Sequence, residues 1–345
     1  MITDLTLENI RGISKGTLAG LSPISIFVGP NNSGKSTILD ALFLGANVNP
    51  AQAIGALRAR MDVSEPQRWF LRSTIGNGES SGRVTVKLDS GQDRIVNVDS
   101  KLQISISSTH EAALRLELKD LESQIGQSQR SDRHELTERK RQMMGQIAEA
   151  EKLRSQDWPV PDVILYDPRR STNGRSLPEL YTLAAESGLS DQVNGILTDL
   201  LPDVKRVELL APQGKPVVYL SMKSGAALPV GIAGDGVRLL LRLSMELAVR
   251  KGGIALLEEP ETHLHPGAIR QAARAIQAAA GRDIQIAMST HSLELIDALL
   301  TEFPEHRERI TVFRTAIDEN GVLLTHRAEG NDAYDARTKI AEDLR

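Results

Sequence analysis

The chain has 345 residues and a formal net charge of −4, with 40% hydrophobic and 25% charged residues. This composition is typical of a globular protein and suffices for one large α/β domain or two smaller ones. The negative charge argues against a globally basic nucleic-acid binder, and 3% aromatic residues leave little for base stacking. The absence of cysteine excludes disulfides, thiolate catalysis and cysteine-ligated zinc. No apolar stretch approaches the ~20 residues that span a bilayer, and the N-terminus does not resemble a signal peptide, so we expect a cytoplasmic protein.

The N-terminal part of the chain begins with two predicted strands and a glycine-rich loop. Alternating apolar residues predict a strand over residues 2–10, and the apolar run Ile24–Val28 predicts a second strand that leads directly into the loop. A helix is predicted from about Lys35 to Gly45. Three further alternating segments predict an antiparallel meander, at residues 84–88, 95–98 and 102–106.

Residues 110–155 differ in character from the rest of the chain. They contain no proline, are rich in charged residues and glutamine, and carry apolar residues at helical spacing, including Leu114, Leu118 and Leu121. The polar stretch from Gly126 to Asp132 interrupts this pattern, which predicts two helical arms joined by a turn. Because few positions are apolar, we expect a projecting hairpin rather than a helical pair that lies flat on the domain.

An α/β pattern resumes after Pro159 and Pro161. Strands are predicted at residues 163–166, 204–210, 216–222, 254–257 and 284–288. Helices are predicted near residues 178–186, 189–200, 235–250 and 267–280. The sequence therefore predicts one α/β domain in two parts, residues 1–109 and 156–345, with the helical hairpin at 110–155 inserted between them.

The glycine-rich loop carries the first chemical motif. Residues 29–36, Gly-Pro-Asn-Asn-Ser-Gly-Lys-Ser, fit the phosphate-loop pattern and lie between a predicted strand and a predicted helix, as that motif requires. Glycines let backbone N–H groups turn toward phosphate oxygens, and the following helix N-terminus favours negative charge. Lys35 is predicted to reach the β- and γ-phosphates, and the Ser36 hydroxyl to bind Mg²⁺. The alternative is an ordinary glycine-rich turn with a solvent-facing lysine.

Two adjacent carboxylates, Glu258 and Glu259, follow the apolar run Ile254–Leu257 and precede Pro260. The carboxyl ends of strands form the ligand-binding edge of an open α/β sheet. We assign Glu258 to Mg²⁺, through water, and Glu259 to the attacking water as general base. The alternative, a solvated acidic loop, fits poorly with the apolar run and with the phosphate loop upstream.

Two further segments are candidate parts of the same site. His291 follows a third apolar strand and could contact a γ-phosphate, although a structural histidine is the alternative. Gly234, Asp235 and Gly236 open a predicted helix, which is either an ordinary capped turn or a second anion-binding N-terminus. If this helix and the phosphate loop of the same chain lie at distant ends of a lobe, a second copy of the chain would be needed to bring the helix onto a phosphate loop.

The order of these motifs resembles the ABC-type AAA ATPases of the overcoming-lysogenization-defect (OLD) group, and more broadly the heads of Rad50, RecF and SMC proteins. After the phosphate loop come Gly-Asp-Gly, Leu-Leu-Glu-Glu-Pro-Glu-Thr-His-Leu-His-Pro and Ser-Thr-His-Ser, so the resemblance covers nearly the whole chain. It implies an α/β P-loop fold of the ABC-ATPase head type, with a mixed sheet, an antiparallel β lobe and an inserted α-helical hairpin.

The resemblance also implies roles for individual residues. Glu258 and Glu259 match the Walker B motif with its catalytic glutamate, His291 matches the switch histidine, and Arg11 stands where such heads often carry a nucleotide-proximal arginine. Residues 234–236 match the signature motif, which in the family completes the partner's site, so ATP and Mg²⁺ would be held between two chains. The Walker A motif corresponds to Gly29, Asn31, Asn32, Ser33, Gly34, Lys35, Ser36 and Thr37.

The sequence departs from the family pattern in three respects. Gly231, Ile232 and Ala233 stand where the signature serine is expected, which suggests slow hydrolysis. The metal-contacting glutamine of the Q-loop has no clear counterpart. The chain ends about 50 residues beyond His291, so we expect the ATPase part alone, without the Toprim nuclease domain of OLD nucleases.

The leading functional hypothesis is an ATP-hydrolysing switch that dimerises on ATP and controls a separate effector, expected to be a nuclease, in phage defence or DNA repair. One alternative is a DNA-binding repair ATPase of the RecF or Rad50 type, because basic residues cluster at 139–141 and 169–170. Another is a scaffold that binds ATP without hydrolysing it. A transporter ATPase fits less well, given the hairpin and the missing Q-loop.

Overall fold

The computed structural model describes residues 1–61, 70–72, 81–127, 133–156, 158–160, 162–169 and 175–344. The strands in this part of the chain are β1 (Ile2–Ile10), β2 (Ile13–Ala19), β3 (Ile24–Val28), β4 (Gly82–Leu88), β5 (Asp93–Val98), β6 (Ile104–Ser107), β7 (Val163–Tyr166), β8 (Val204–Leu210), β9 (Val217–Met222), β10 (Ala227–Pro229), β11 (Ile254–Glu258), β12 (Gln285–Ser289), β13 (Ile310–Ile317) and β14 (Leu323–Glu329).

The helices in the same ranges are α1 (Lys35–Ala46), α2 (Pro50–Met61), α3 (Thr109–Gln127), α4 (Arg133–Gln156), α5 (Leu177–Glu186), α6 (Ser190–Leu200), α7 (Asp235–Ala248), α8 (Pro266–Ala280), α9 (Leu293–Thr301) and α10 (Gly330–Lys339). Short 3-10 turns occupy Pro212–Gly214, Val230–Ile232 and Pro304–Arg309. Within these ranges no helix is both long enough and apolar enough to cross a membrane.

The strands form three sheets. A six-stranded mixed sheet has the order β14-β13-β3-β12-β11-β7, in which β14 is antiparallel to β13 and all other neighbours are parallel. A five-stranded antiparallel sheet has the order β2-β1-β4-β5-β6, and a small antiparallel sheet has the order β10-β9-β8. The carboxyl ends of β3, β11 and β12 therefore lie at one edge, with β3 and β11 on either side of β12.

Helix α1 lies between the two large sheets, and this position explains its sequence. Its residues Ile38, Leu39 and Leu42 share one buried cluster with β1, β4 and β5 on one side and Phe27 of β3 on the other. A helix buried all round is largely apolar, as in the segment Ile-Leu-Asp-Ala-Leu-Phe-Leu, in which Asp40 is the one charged residue. The opposite face of the mixed sheet is covered by α7, α8 and α9, which form the second cluster. The phosphate loop is thus attached to a helix that is buried along nearly its whole length.

The predicted hairpin is present as α3 and α4, which pack against each other through Leu114, Leu118, Met143 and Ile147. The helix α3 continues through Gln127, beyond the predicted break at Gly126, and residues 128–132 of the predicted turn lie outside the described ranges. At its base, Thr109 donates from its backbone N–H to Asp93 of β5 at 2.9 Å. The division of the chain at 109 and 155 stays a prediction.

The other predicted elements are present within a few residues of their expected bounds, but several observed elements were not predicted. The meander forms as expected, although β6 begins at Ile104 rather than 102. Leu102 has φ 60° and donates its N–H to Asp99 in a tight turn. Helix α7 begins after Gly234 and ends at Ala248 instead of 250. The elements that the sequence did not predict are β2, α2, β10, β13, β14, α9 and α10.

Candidate phosphate and metal site

The phosphate loop has the backbone conformations that its glycines permit. Gly29 and Gly34 have φ 144° and 93°, and Asn32 has φ 65°. A side chain at Gly29 would collide with the backbone carbonyl of Thr315, so only glycine fits there. The loop is tied to β13, because the Ser33 hydroxyl lies 3.0 Å from that of Thr315, which donates to the Val28 carbonyl at 3.1 Å.

Lys35 is folded back over this loop. Its ammonium group donates to the carbonyls of Gly29 and Pro30 at 2.9 and 2.8 Å. Burial lowers the pKa of Lys35, and the negative charge of Glu259 opposes that shift. The ammonium group is therefore held at the mouth of the loop by two backbone carbonyl oxygens. Phosphate oxygens, which are charged, would be stronger acceptors for it.

Glu258 is the last residue of β11, and both of its carboxylate oxygens are engaged. Ser36 donates its hydroxyl to Oε1, and Arg60 contacts Oε2. Asp167 follows β7, whose Tyr166 pairs with Leu257 of β11, so the two carboxylates end neighbouring strands. The hydroxyl and carboxylate oxygens are hard donors that suit Mg²⁺. In the described ranges no cluster of three or more His, Asp or Glu is spaced to hold a metal.

Glu259 lies one residue further on, where the strand has already turned. Its φ of 42° is left-handed, and its backbone N–H donates to the Ser289 carbonyl of β12 at 3.0 Å. Its carboxylate contacts Arg169 and lies 3.7 Å from Nε2 of His291. The backbone turn thus separates the two carboxylates: that of Glu258 faces Ser36 and that of Glu259 faces His291.

Glu261 holds the loop after β11 against the loop after β12. One of its oxygens accepts from the Thr290 hydroxyl at 2.7 Å and from the His291 backbone N–H at 3.1 Å. Burial raises the pKa of Glu261, and the hydrogen bonds from Thr290 and His291 partly offset that shift. Glu261 therefore fixes His291 relative to Glu259.

A cavity of about 380 Å³ lies over the phosphate loop. It is lined by Arg11, Gly12, Asn31, Asn32, Ser33, Gly34, Lys35, Ser36, Thr37, Glu259, His291 and Ile317. A cavity of about 400 Å³ lies at the opposite edge, beside Ile254 at the start of β11, which is not the ligand edge of such a sheet. The first cavity therefore brings together Arg11, most of the predicted phosphate loop, Glu259 and His291.

The glycines at the start of α7 are not among the residues that line this cavity. Gly234 has φ 95° and is the N-capping residue, so Asp235 lies in the first turn instead of capping it. Gly236 packs against the loop after β11, since a Cβ there would lie 2.9 Å from the His263 carbonyl. Asp235 is solvent-exposed and pairs with Arg238 at 2.9 Å.

Sequence reasoning did not single out Asp40, Arg60 and Asp167. A signal for Asp167 existed, because it directly follows a predicted strand just as Glu258 does. Asp40 and Arg60 lie in helices with no motif around them, and their partners are distant in sequence. Arg169 was seen only as part of a basic pair, and Arg170 lies outside the described ranges.

Two solved structures share the fold over nearly their whole length. An SMC head domain from Pyrococcus furiosus, with an extended coiled coil and bound to the C-terminal domain of ScpA, is 13% identical, with a TM-score of 0.57 and 99% of both chains covered. An SMC head bound to the C-winged helix domain of ScpA is 15% identical, with a TM-score of 0.59, and 96% of this chain and 99% of that one are covered. At such low identity the likeness shows the fold alone, and it confirms the predicted P-loop fold of the ABC-ATPase head type.

No curated protein matches the sequence. The sequence pattern of one family does match, over residues 24–297, which include the phosphate loop, the two glutamates and His291. That span is more than half of the chain. The chain therefore belongs to the family described as "AAA domain, putative AbiEii toxin, Type IV TA system", and it has the fold of the SMC heads.

Proposed function

We propose that this protein is an ABC-type ATPase that binds ATP with Mg²⁺ in the cavity over the phosphate loop, dimerises on ATP and hydrolyses it to control a separate effector. The observation that carries the proposal is the cavity itself, which gathers Lys35, Ser36, Glu259 and His291 from separate elements. Such a combination of phosphate donors with a carboxylate and a histidine serves phosphoryl transfer to water.

The contacts support a role for each of these residues. Loop N–H groups and Lys35 would hold the phosphates, while Ser36 and Glu258 would hold Mg²⁺, which neutralises charge on the phosphates when bound. Glu259 would take a proton from the attacking water, whose oxygen forms the new bond to the γ-phosphorus as the bond to the leaving oxygen breaks. His291, fixed by Glu261, would donate to the γ-phosphate. Arg11 lines the same cavity and would lie beside the nucleotide.

The dimer in this proposal has each α7 N-terminus facing the cavity of the other copy. Gly234, Asp235 and Gly236 would supply N–H groups to the partner's nucleotide. Two observations support this arrangement. Residues 234–236 do not line the cavity of their own chain, and Ile232, just before Gly234, is 71% exposed. An exposed large apolar residue at that position suits a surface that becomes covered on association.

The effector is proposed to be a separate protein, expected to be a nuclease, in phage defence or DNA repair. The resemblance of Glu258 to Pro266 to the OLD group supports this reading, and the family description names a putative toxin of a toxin–antitoxin system. The two SMC heads described above are themselves bound to domains of another protein, ScpA.

Glu259→Gln tests the ATP-dependent dimer. Removal of the general base should slow hydrolysis by roughly 100-fold or more and so trap the ATP-bound pair. Analytical ultracentrifugation of the variant with ATP and Mg²⁺ should show a dimer, and the same sample without ATP should show a monomer. A monomer in both samples would sink the dimer proposal.

Lys35→Ala tests the phosphate loop. Loss of the ammonium group should weaken binding of a fluorescent ATP analogue by at least ten-fold, because a charge-assisted contact to phosphate is worth well over 1 kcal/mol. Lys15→Ala, on β2, changes a lysine outside the cavity and is the matched control. An unchanged affinity of the Lys35 variant would contradict the assignment.

The alternative of a DNA-binding repair ATPase rests on two short basic clusters, one in the hairpin at 139–141 and one at 169–170. Arg139 and Arg141 are exposed, but Arg141 pairs with Glu138 at 2.8 Å and Lys140 pairs with Glu122 at 2.7 Å. These acids reduce the basic character of the surface. DNA binding that weakens steeply with salt would favour the alternative. A steady-state assay with no phosphate release would favour the scaffold that binds ATP without turnover.

A further inference from the structure

Arg60 lies among three carboxylates next to the proposed metal site. Its Nη1 donates to Asp40 Oδ1 at 2.8 Å, while its Nη2 contacts Glu258 Oε2 and lies 3.6 Å from Asp167 Oδ2. The three acids come from α1, the end of β11 and the residue after β7. All four side chains are at most 14% exposed, so these charges are poorly screened by solvent.

Glu258, which Arg60 contacts, is also the carboxylate that we assign to Mg²⁺. Glu258 receives the Ser36 hydroxyl on one oxygen and Arg60 on the other, and Ser36 and Glu258 are the side chains assigned to Mg²⁺. A divalent cation and a guanidinium that share one carboxylate in a partly buried site repel each other strongly. Binding of either cation to Glu258 therefore weakens the binding of the other.

We propose that Arg60 is the resident counter-cation of Glu258 and Asp167, and that it is displaced when Mg²⁺ binds with the nucleotide. The inference rests on the proposed function, because it takes Ser36 and Glu258 as the metal-binding side chains. Arg60 is a positioning residue: it keeps the two carboxylates together while no metal neutralises them, and it competes with the metal for them.

The surroundings make this exchange feasible. Asp40 is 1% exposed and would be costly to leave unpaired, but Arg11 contacts its other oxygen, Oδ2. Arg60 can therefore leave without stranding a buried charge. Burial raises the pKa of Asp40, while Arg11 and Arg60 both oppose that shift. Arg11 also lines the nucleotide cavity, so the chain of contacts runs from the cavity through Asp40 to Arg60.

The departure of Arg60 should loosen the last turn of α2. The buried side chains of this helix are Pro50, Ala53, Ile54 and Leu57, which lie in its first eight residues. Arg60 is the next-to-last residue, and its ion pairs connect the final turn to α1, β11 and the residue after β7. Met61, the last residue of the helix, is partly buried against the core. Metal binding would thus loosen the C-terminal turn of α2 while its N-terminal turns stay packed.

The first experiment measures Mn²⁺ binding by electron paramagnetic resonance without nucleotide. Arg60→Gln should bind Mn²⁺ at least ten-fold more tightly than the wild type, because the competing cation is gone. Arg60→Lys keeps the charge but lacks the planar fork of the guanidinium, and its affinity should fall between the two. Arg58→Gln removes an exposed arginine of the same helix and should match the wild type. Equal affinities of Arg60→Gln and the wild type would overturn the proposal.

The second experiment follows α2 directly and does not depend on the Arg60 variants folding. The chain has no cysteine, so Ala59→Cys gives a single site for a fluorescent label on an exposed position of the last turn. The label should respond to a non-hydrolysable ATP analogue with Mg²⁺ but not to the same analogue in EDTA. If the analogue binds but the fluorescence of the label does not change with Mg²⁺, the proposed displacement of Arg60 is overturned, while the proposed ATPase function is not. If the analogue does not bind at all, the proposed ATPase function fails, while the Mn²⁺ comparison still tests Arg60.

Discussion

Glu261 illustrates how one buried carboxylate can position a site at a cost in stability. It accepts two hydrogen bonds that connect the loops after β11 and β12, and it lies in a buried position that raises its pKa. Because the folded pKa lies above the unfolded value, the stabilising contribution of this group is complete at low pH. It is lost as pH rises through the folded pKa, when the ionised form must stay buried.

Glu261→Gln should therefore make the protein more heat-stable at pH 8. The amide oxygen can still accept from Thr290 and His291, and no charge has to be buried. The gain in Tm should shrink toward pH 4, where the wild-type carboxyl is protonated as well. Differential scanning calorimetry across this range, with the exposed Glu319→Gln as control, measures it. A gain that does not vary with pH would show that burial of the charge is not its cause.

At the scale of elements, the hairpin of α3 and α4 depends on very few side chains. The buried cluster between the two helices consists of Leu114, Met143 and Ile147, with Leu118 packed against it. Most helical stability in proteins comes from packing of an apolar face, so this cluster should decide whether the hairpin stays folded.

Met143→Asp should therefore unfold the hairpin locally without affecting the head. A buried charge without a partner is expected to cost about 2–4 kcal/mol, more than the hairpin can supply. Met144→Asp places the same charge at a position that is 54% exposed, and it should have little effect. Hydrogen exchange of residues 109–127 and 133–156 separates the two variants. Loss of ATP-analogue binding in Met143→Asp would show that the hairpin is not independent of the head.

Some secondary-structure elements could be predicted from the local sequence pattern, and others could not. The strands β3, β11 and β12 are continuous apolar runs whose ends carry polar side chains, so local sequence sufficed for them and for Glu258, Glu259 and His291. In β2 the alternation is interrupted at Gly16, which is needed because Leu323 of β14 packs where a side chain would be. The strand β14 is an edge strand with mostly exposed residues, so it has no apolar pattern.

The part of the site that sequence could not predict depends on distant contacts. Arg60 lies 20 residues from Asp40 and 198 from Glu258, and only the packing of α1 and α2 under the mixed sheet brings them together. A single arginine on a short helix is typical of a solvated surface. Nothing in the local pattern therefore distinguishes Arg60 from Arg58, which is exposed.

At the scale of the whole molecule, the proposed dimer can be tested at its surface. Ile232→Glu should abolish ATP-dependent association, since it places a negative charge next to the partner's phosphates and removes an apolar contact. Binding of a fluorescent ATP analogue by the monomer should be unchanged. Ile340→Glu is the matched control, because Ile340 is 70% exposed in a different region of the chain.

Complementation makes the test of this dimer sharper. Lys35→Ala and Ile232→Glu should each be inactive alone, but a mixed dimer contains one intact phosphate loop opposite one intact α7 N-terminus. Mixing the two variants should restore up to half of the phosphate release per dimer. No recovery in the mixture, although each variant is folded, would argue that each chain completes its own site.

The position of β3 has a consequence for synthesis of the protein. This strand leads into the phosphate loop, yet its two neighbours are β12 and β13, more than 250 residues later in the chain. At translation rates of about 5–20 residues per second, both edges of β3 stay unpaired in the nascent chain for roughly 15–60 s. An apolar strand with free edges invites pairing with other chains. The ribosome-bound protein should therefore need chaperone protection, and a fragment stalled before residue 310 should lack a formed phosphate loop.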